Sequence, residues 1–239
     1  MRKADINKPN STMYVNSRRT VEQAKNVLKL SKNKKISDER LPQVKKGRFK
    51  GYVIYTLTLE ERATCPRECF HWDDCYGNNM AFAHRIQHGP ELENKLRVEI
   101  DKLCDTYKGV IVRLHVLGDF YSVDYVKLWD ELLMTYDNLA VWGYTAHKPT
   151  SAIGKEIANL RKLYSVYEVV DSPRFNVRFS DAGDTSFSAL SSDKQRDTIT
   201  IKDYEKRATV CPEQTGRVAN CASCCLCWQS SEPIIFLTH

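Results

Sequence analysis

Long apolar runs are missing from this chain of 239 residues. None approaches the roughly 18 to 20 consecutive apolar residues that a membrane-spanning helix requires. The N-terminal stretch MRKADINKPNSTMYVNSRR lacks the apolar core of a secretory signal. These absences set the expectation of a cytoplasmic protein with no membrane partner. Internal repeats are missing too, and so is low-complexity sequence beyond one Lys-rich stretch, which excludes repeat architectures. Acids are scarce at one end: residues 1–50 hold 15 Lys or Arg against 4 Asp or Glu, whereas the remaining 189 hold 21 against 26. That local excess reads either as an arm that follows nucleic-acid phosphates or as a solvated segment. Nothing in the pattern fixes an oligomeric state.

Hydrophobic residues make up 42% of the chain, enough for one core and few for two full domains. The predicted organisation is a basic N-terminal extension over 1–50, an α/β body over 51–207 and a cysteine-rich metal-binding segment over 208–239. In the extension, a helix is expected from Arg18 to Lys32, followed by a linker. From residue 51 strands alternate with helices. Strands are expected over 52–59, 109–116, 139–145, 165–170 and 176–180. Helices are expected through most of 80–107, then along the stripes Val126, Trp129, Leu133, Tyr136 and Ile153, Ile157, Leu160, Tyr164. Such alternation implies parallel pairing through right-handed crossovers, hence an open α/β sheet or a partial (β/α) barrel. Sites in those folds gather at the C-terminal ends of strands, here Cys65, Gly118-Asp119, Thr145 to His147 and Asp171.

Nine cysteines in a reducing compartment point to metal binding before disulfides. Cys221-x2-Cys224-x2-Cys227, with Cys211 ten residues upstream, has the local spacing of a cubane-cluster loop, and tetrahedral zinc is its rival. Cys225 is the expected spectator. The other group, Cys65-x3-Cys69-x5-Cys75, follows a strand directly. Three thiolates leave one iron of a cluster open, whereas His71 or His84 as a fourth ligand, or zinc, would close the site. Pairing Cys211 with this first group is a further possibility that the sequence leaves open. Cys104 reads as packing.

By the two-residue period, Arg113 and His115 share one face of their strand. They read as ligands for a carboxylate or phosphate, or else Arg113 is a buried structural partner of Asp119 or Glu168. Asp119 after Gly118 suits a ligand ammonium, or the N-terminal cap region of the next helix. Tyr144 and Thr145 end a strand beside them. Trp228 after Cys227 reads as a shield for a cluster or as ordinary packing.

The strand, three-cysteine loop, helix and second strand ending in a Gly-acidic turn resemble the N-terminal part of radical S-adenosylmethionine enzymes. That resemblance implies a radical-SAM-like partial barrel and a [4Fe-4S] cluster on Cys65, Cys69 and Cys75. It also implies S-adenosylmethionine on the open iron, with Gly118 and Asp119 at the cofactor; by their own positions Tyr144 and Thr145 are further candidates to line it, and Arg113, His115 and Asp119 are the candidate catalytic groups. The usual spacing there is C-x3-C-x2-C, against x3 then x5 in this chain. A closer resemblance, over roughly residues 50 to 230, is to the phage "gene product 88" family. It rests on CPRECFHWDDCYG, VRLHVLGDFYSVDYVKLW, GYTAH and the terminal CPEQ and CASCCLCW. The expected function is therefore an iron–sulfur protein of phage or prophage type with radical-SAM-like chemistry and one or two clusters. The alternative is a zinc- or cluster-stabilised nucleic-acid-binding module that contacts nucleic acid through residues 1–50.

Overall fold

The structure, a computed structural model, describes residues 12, 14–167, 173–181, 188–192 and 208–237. Along the chain come strands β1 (Arg18–Arg19), β2 (Lys29–Leu30) and β3 (Val53–Thr56), helix α1 (Glu61–Thr64), β4 (Arg85–Ile86), α2 (Pro90–Thr106) and β5 (Val110–Leu114). Then follow α3 (Val123–Thr135), β6 (Leu139–Thr145), α4 (Ala152–Tyr167), β7 (Phe175–Ser180) and β8 (Ser188–Ser192). The last elements are β9 (Thr209–Val210), α5 (Cys221–Cys224), α6 (Leu226–Gln229) and β10 (Ile234–Leu237).

Among the described residues the main sheet has eight strands in the order β2-β3-β5-β6-β7-β8-β10-β9. Every neighbouring pair is parallel except β2 with β3. From β3 to β8 spatial order follows chain order, so successive crossovers wind in one direction and leave their helices on one face. The fold is thus mixed α/β around a mostly parallel sheet, with β2 and β9 as its two edges.

Burial on both faces explains why these strands read as apolar runs. Val110, Val112 and Leu114 of β5 join Leu96, Ile100, Trp129, Leu133, Ile157 and Leu160 in the core beneath α2, α3 and α4. On the opposite face Ile54, Ile111, Ala140 and Trp142 pack against Ile36, Val44 and Phe49 and against Cys211, Cys225, Cys227, Trp228 and Ile234. The cysteine-rich segment therefore lies on the face away from the helices, as part of the second core. Cys104 sits in the first core, where packing was expected. No helix among the described residues is long and apolar enough to cross a membrane.

Three local expectations are corrected. Residues 18–32 do not form a helix: β1 pairs with β4, and the backbone N–H groups of Val27 and Leu28 each donate to the Glu99 carboxylate at 2.9 Å. Tertiary partners outbid local helix propensity there. The helix expected through 80–107 begins only at Pro90, because Gly89 at φ 132 turns the chain and Pro occupies the first helical position. The strand expected over 165–170 is displaced at its start by α4, which runs through Tyr167, and 168–170 lie outside the described residues.

Residues 76–83 are held by a buried cation. Arg85 pairs with Glu61 at 2.7 Å and donates to the carbonyls of Gly77, Met80 and Ala83 and to Ser17 Oγ. Arg85→Met is expected to cost about 3–5 kcal/mol by removing the cation paired with the buried Glu61 carboxylate, which also accepts from Thr12 Oγ1 at 2.8 Å. A fall in the urea midpoint at unchanged slope checks it.

Candidate metal centre

The loop that carries Cys65, Cys69 and Cys75 is built on two strand ends. Beyond β3 and β5 the chains stay zipped: Val116 N–H donates to the Leu57 carbonyl at 2.7 Å and Leu59 N–H to the Leu117 carbonyl at 2.9 Å. Gly118 has φ 86, and a Cβ there would lie 2.6 Å from Thr64 Oγ1 and 2.7 Å from Leu59 Cβ, so the close approach requires glycine. Asp119 N–H donates to Thr64 Oγ1 at 3.0 Å, which ties the turn to the residue preceding Cys65. Past Cys69 the loop reaches the far side of the sheet, where His71 meets Ser191 Oγ of β8 at 3.1 Å and Asp74 at 3.2 Å. Trp72 is stacked between Arg62 and Arg67, at 4.6 and 4.4 Å. The loop thus spans from the C-terminal end of β3 to that of β8. His71 is engaged in holding it, and His84 stands near Arg19 at 3.5 Å.

Burial pushes all three thiols of this loop upward, Cys69 to about 11, and Cys65 is raised further by the nearby Asp119, Cys69 and Cys75. The neighbouring thiols and Asp119 add to the rise at Cys65 and Cys69, so burial and like charge both favour the neutral thiols there.

In the C-terminal segment, Cys211, Cys221, Cys224 and Cys227 line one small cavity with Trp228, Leu226, Ile234, Pro212 and Glu213. Asn220 caps α5 through Ser223 N–H at 3.0 Å, and Cys225 at φ 65 turns the chain from α5 into α6. That turn sends the Cys225 thiol to the Ala222 carbonyl at 3.2 Å, away from the cavity lining. Cys227 accepts a hydrogen bond from Tyr144 Oη at 3.1 Å, and burial raises its thiol to about 11. Trp228 is buried and packs on Trp142, with ring centroids 4.9 Å apart. Cys211, whose pairing the sequence leaves open, is placed with the C-terminal three.

As the side chains stand, no three His, Cys, Asp or Glu among the described residues form a group that could hold a metal ion. Both groups are nonetheless rich in thiols, soft donors that suit a sulfur-ligated metal better than a hard cation. A single zinc needs every donor about 2.3 Å from one point. A cluster spreads its thiolates over several irons.

Other expected residues divide. Arg113 faces the cysteine segment, with its guanidinium 5.4 Å from the Trp142 ring centroid. His115 does not share that face. Its φ of 58 breaks the pleat after β5, and the ring turns to Tyr125 Oη at 3.2 Å and edge-on to Phe120. Nor does Asp119 present an exposed carboxylate. It is buried, accepting from Phe120 N–H and Ala146 N–H at 2.7 Å each, so it braces the end of β5 against that of β6. Burial raises its carboxyl, while His147 and those bonds oppose the shift. Thr145 is buried beside it and accepts from His147 N–H at 3.1 Å. Asp171 and Glu168 lie outside the described residues. A cleft of about 280 Å³ opens between Pro66 and Glu68 of the cysteine loop and Ala146, His147, Lys148, Thr150 and Ser151.

The sequence reading missed Asn176 and Arg178. Arg178 is buried and donates to the carbonyls of Cys227 at 3.2 Å, Glu232 at 2.7 Å and Ser230. The signal was available: two polar residues two apart in the strand FNVRFS repeat what Arg113 does in VIVRL.

Burial, with His147 adding repulsion, lowers His115 to about 3. Its unfolded value lies near 6.5, so the fold favours the neutral ring, and that contribution, complete above about pH 6.5, is lost as pH falls toward 3. His115→Asn, which tolerates positive φ, is expected to remove up to about 1.4 kcal/mol per pH unit of acid sensitivity in that window. Urea midpoints at pH 7 and pH 5 for both proteins measure it.

The family model described as Gene product 88 matches residues 26–230 of the chain. No curated protein and no solved structure matches it.

Proposed function

The chain belongs to the gene product 88 family, and on that premise we propose that it is an iron–sulfur protein of the radical S-adenosylmethionine type. The observation that carries the reading is the division of seven cysteines into a three-thiol loop at the strands' C-terminal ends and a four-thiol cavity in the inner core. Single-direction winding of β3 to β8 is consistent with an arc of a (β/α) barrel, whose mouth this loop would cover. A [4Fe-4S] cluster on Cys65, Cys69 and Cys75 would supply an open coordination position and an electron to S-adenosylmethionine. The chain's own residues position that loop: Thr64 and Gly118 fix its entrance, Asp119 with Thr145 braces the two strand ends below it, and His71 pins its far side. The cleft between Pro66 and Glu68 of this loop and Ala146 to Ser151 beyond β6 is where a substrate would approach it. Cys211, Cys221, Cys224 and Cys227 would hold a second cluster.

Anaerobic purification with iron, sulfide and zinc counted per chain tests this, together with visible spectra before and after dithionite and S-adenosylmethionine. Iron and sulfide in equal amounts, bleached by reductant and perturbed by the cofactor, support it. Zinc without a chromophore overturns it.

One observation favours the second reading, a metal-stabilised nucleic-acid binder. Exposed Lys34, Lys35, Lys45 and Lys46 flank the cysteine segment, whose backbone bonds to Lys35, Ile36 and Lys45 and whose Cys225 thiol reaches the Lys46 carbonyl. On that reading duplex affinity falls steeply between 50 and 200 mM salt, on the order of 10³-fold if six phosphates are contacted. Fluorescence anisotropy across that range decides it.

A further inference from the structure

Arg113 of β5, Trp142 of β6 and Asn176 of β7 form a single row across the inner face, each the register partner of the next. Asn176 is 0% exposed, and neither its Oδ1 nor its Nδ2 has a hydrogen-bond partner. The Arg113 Nε is likewise buried without one. Native proteins rarely leave such groups unpaired, and where they do the reasons are local strain, a redox or catalytic role, or a bound water or ion.

The surroundings of the row point to one place. Trp142 packs on Trp228, which lines the cavity of Cys211, Cys221, Cys224 and Cys227. Arg178, two residues from Asn176 on the same face of β7, donates to the Cys227 carbonyl at 3.2 Å. From β6, Tyr144 donates to the Cys227 sulfur at 3.1 Å. Arg113 lies over Trp142, its guanidinium 5.4 Å from the ring centroid.

We infer that Arg113 and Asn176 are positioning residues of the four-cysteine centre, supplying a cation and amide N–H donors to its sulfurs and so setting its reduction potential. This rests on the reading that Cys211, Cys221, Cys224 and Cys227 hold an iron–sulfur cluster. Neither residue is a ligand. When a one-electron donor such as dithionite reduces the centre, no bond breaks and negative charge on sulfur grows. Hydrogen bonds and a nearby cation favour that state and raise the potential.

The test uses the full chain purified without oxygen, and follows a dithionite titration by visible absorbance and electron paramagnetic resonance. The signal retained in Cys65→Ser identifies the four-cysteine centre. Arg113→Met and Asn176→Leu are expected to keep their iron and sulfide but each to shift the one-electron equilibrium about tenfold toward the oxidised form, a midpoint lower by about 59 mV. Arg113→Lys, which keeps the charge, recovers most of the loss. If iron is retained and the midpoint stays put while thermal unfolding shifts, the residues are structural and the inference falls. Should Asn176→Leu fail to fold, the contrast of Arg113→Met with Arg113→Lys carries the same decision. A wild-type protein without iron sinks the underlying reading instead, a distinct outcome.

Discussion

Replacing Cys221 and Cys224 together with serine is expected to cost this protein its fold. The segment that carries them is a wall of the second core: Cys227, Trp228 and Ile234 pack on Ile111, Ala140 and Trp142, and Arg178 ties strand β7 to the carbonyls of residues 227, 230 and 232. Its own secondary structure is slight, since α5 and α6 are four residues each. Helices that short do not hold themselves together in water. What orders the stretch around α5 and α6 is packing, the Arg178 bonds, the ladder of β10 with β8 that follows it, a few backbone bonds to Lys35, Ile36 and Lys45, and any metal joined to the four thiols. Metal binding at a four-thiolate site contributes on the order of 10 kcal/mol to a small fold, comparable with the whole net stability of a domain. Circular dichroism of the double variant should show loss of cooperative unfolding. A variant that melts as sharply and as high as the wild type would mean that the cavity holds nothing structural.

The opposite result is expected for the mouth. Serine at Cys65, Cys69 and Cys75 together should remove one centre's worth of iron and abolish any spectral response to S-adenosylmethionine, while unfolding stays cooperative. The loop is fastened independently of its thiols, by Thr64 to Asp119, by His71 to Ser191, by the Arg62–Trp72–Arg67 stack and by Arg85 to residues 77–83. Iron per chain, the visible spectrum and the thermal midpoint, measured on one preparation, decide the matter. Loss of all iron from this variant would show that the two groups share a single centre.

The pH response of His115 illustrates how a residue can be seen in the sequence and misread. Its alternation with Arg113 is real in the letters GVIVRLHV, but β5 stops at Leu114 and positive φ at His115 carries the ring to the helix side. Period-two reasoning holds only while the pleat continues. Asp119 was visible for a similar reason, as an acid after a strand-end glycine. Its two backbone N–H donors come from Phe120 next door and from Ala146, which only folding brings to it.

By itself the sequence determined the things set by local chemistry and composition. The apolar runs over 53–56, 110–114, 139–145 and 175–180 became buried strands, because β-branched and aromatic residues in short blocks have nowhere else to hide. The stripes of α2, α3 and α4 became the cover of one face, since a 3.6-residue period can bury only one side. The two cysteine groups were legible because clustered thiols are informative wherever they occur. Tertiary structure alone decided that Cys211 lies with Cys221, Cys224 and Cys227, that the cysteine segment packs on the sheet face away from the helices, and that residues 18–32 give up a helix for pairings with β4, β3 and Glu99. It alone put Arg113, Trp142 and Asn176 in one row. The physical reason is common to all of these: each depends on the register and order of strands far apart in the chain, and no local propensity encodes a partner 30 or 150 residues away.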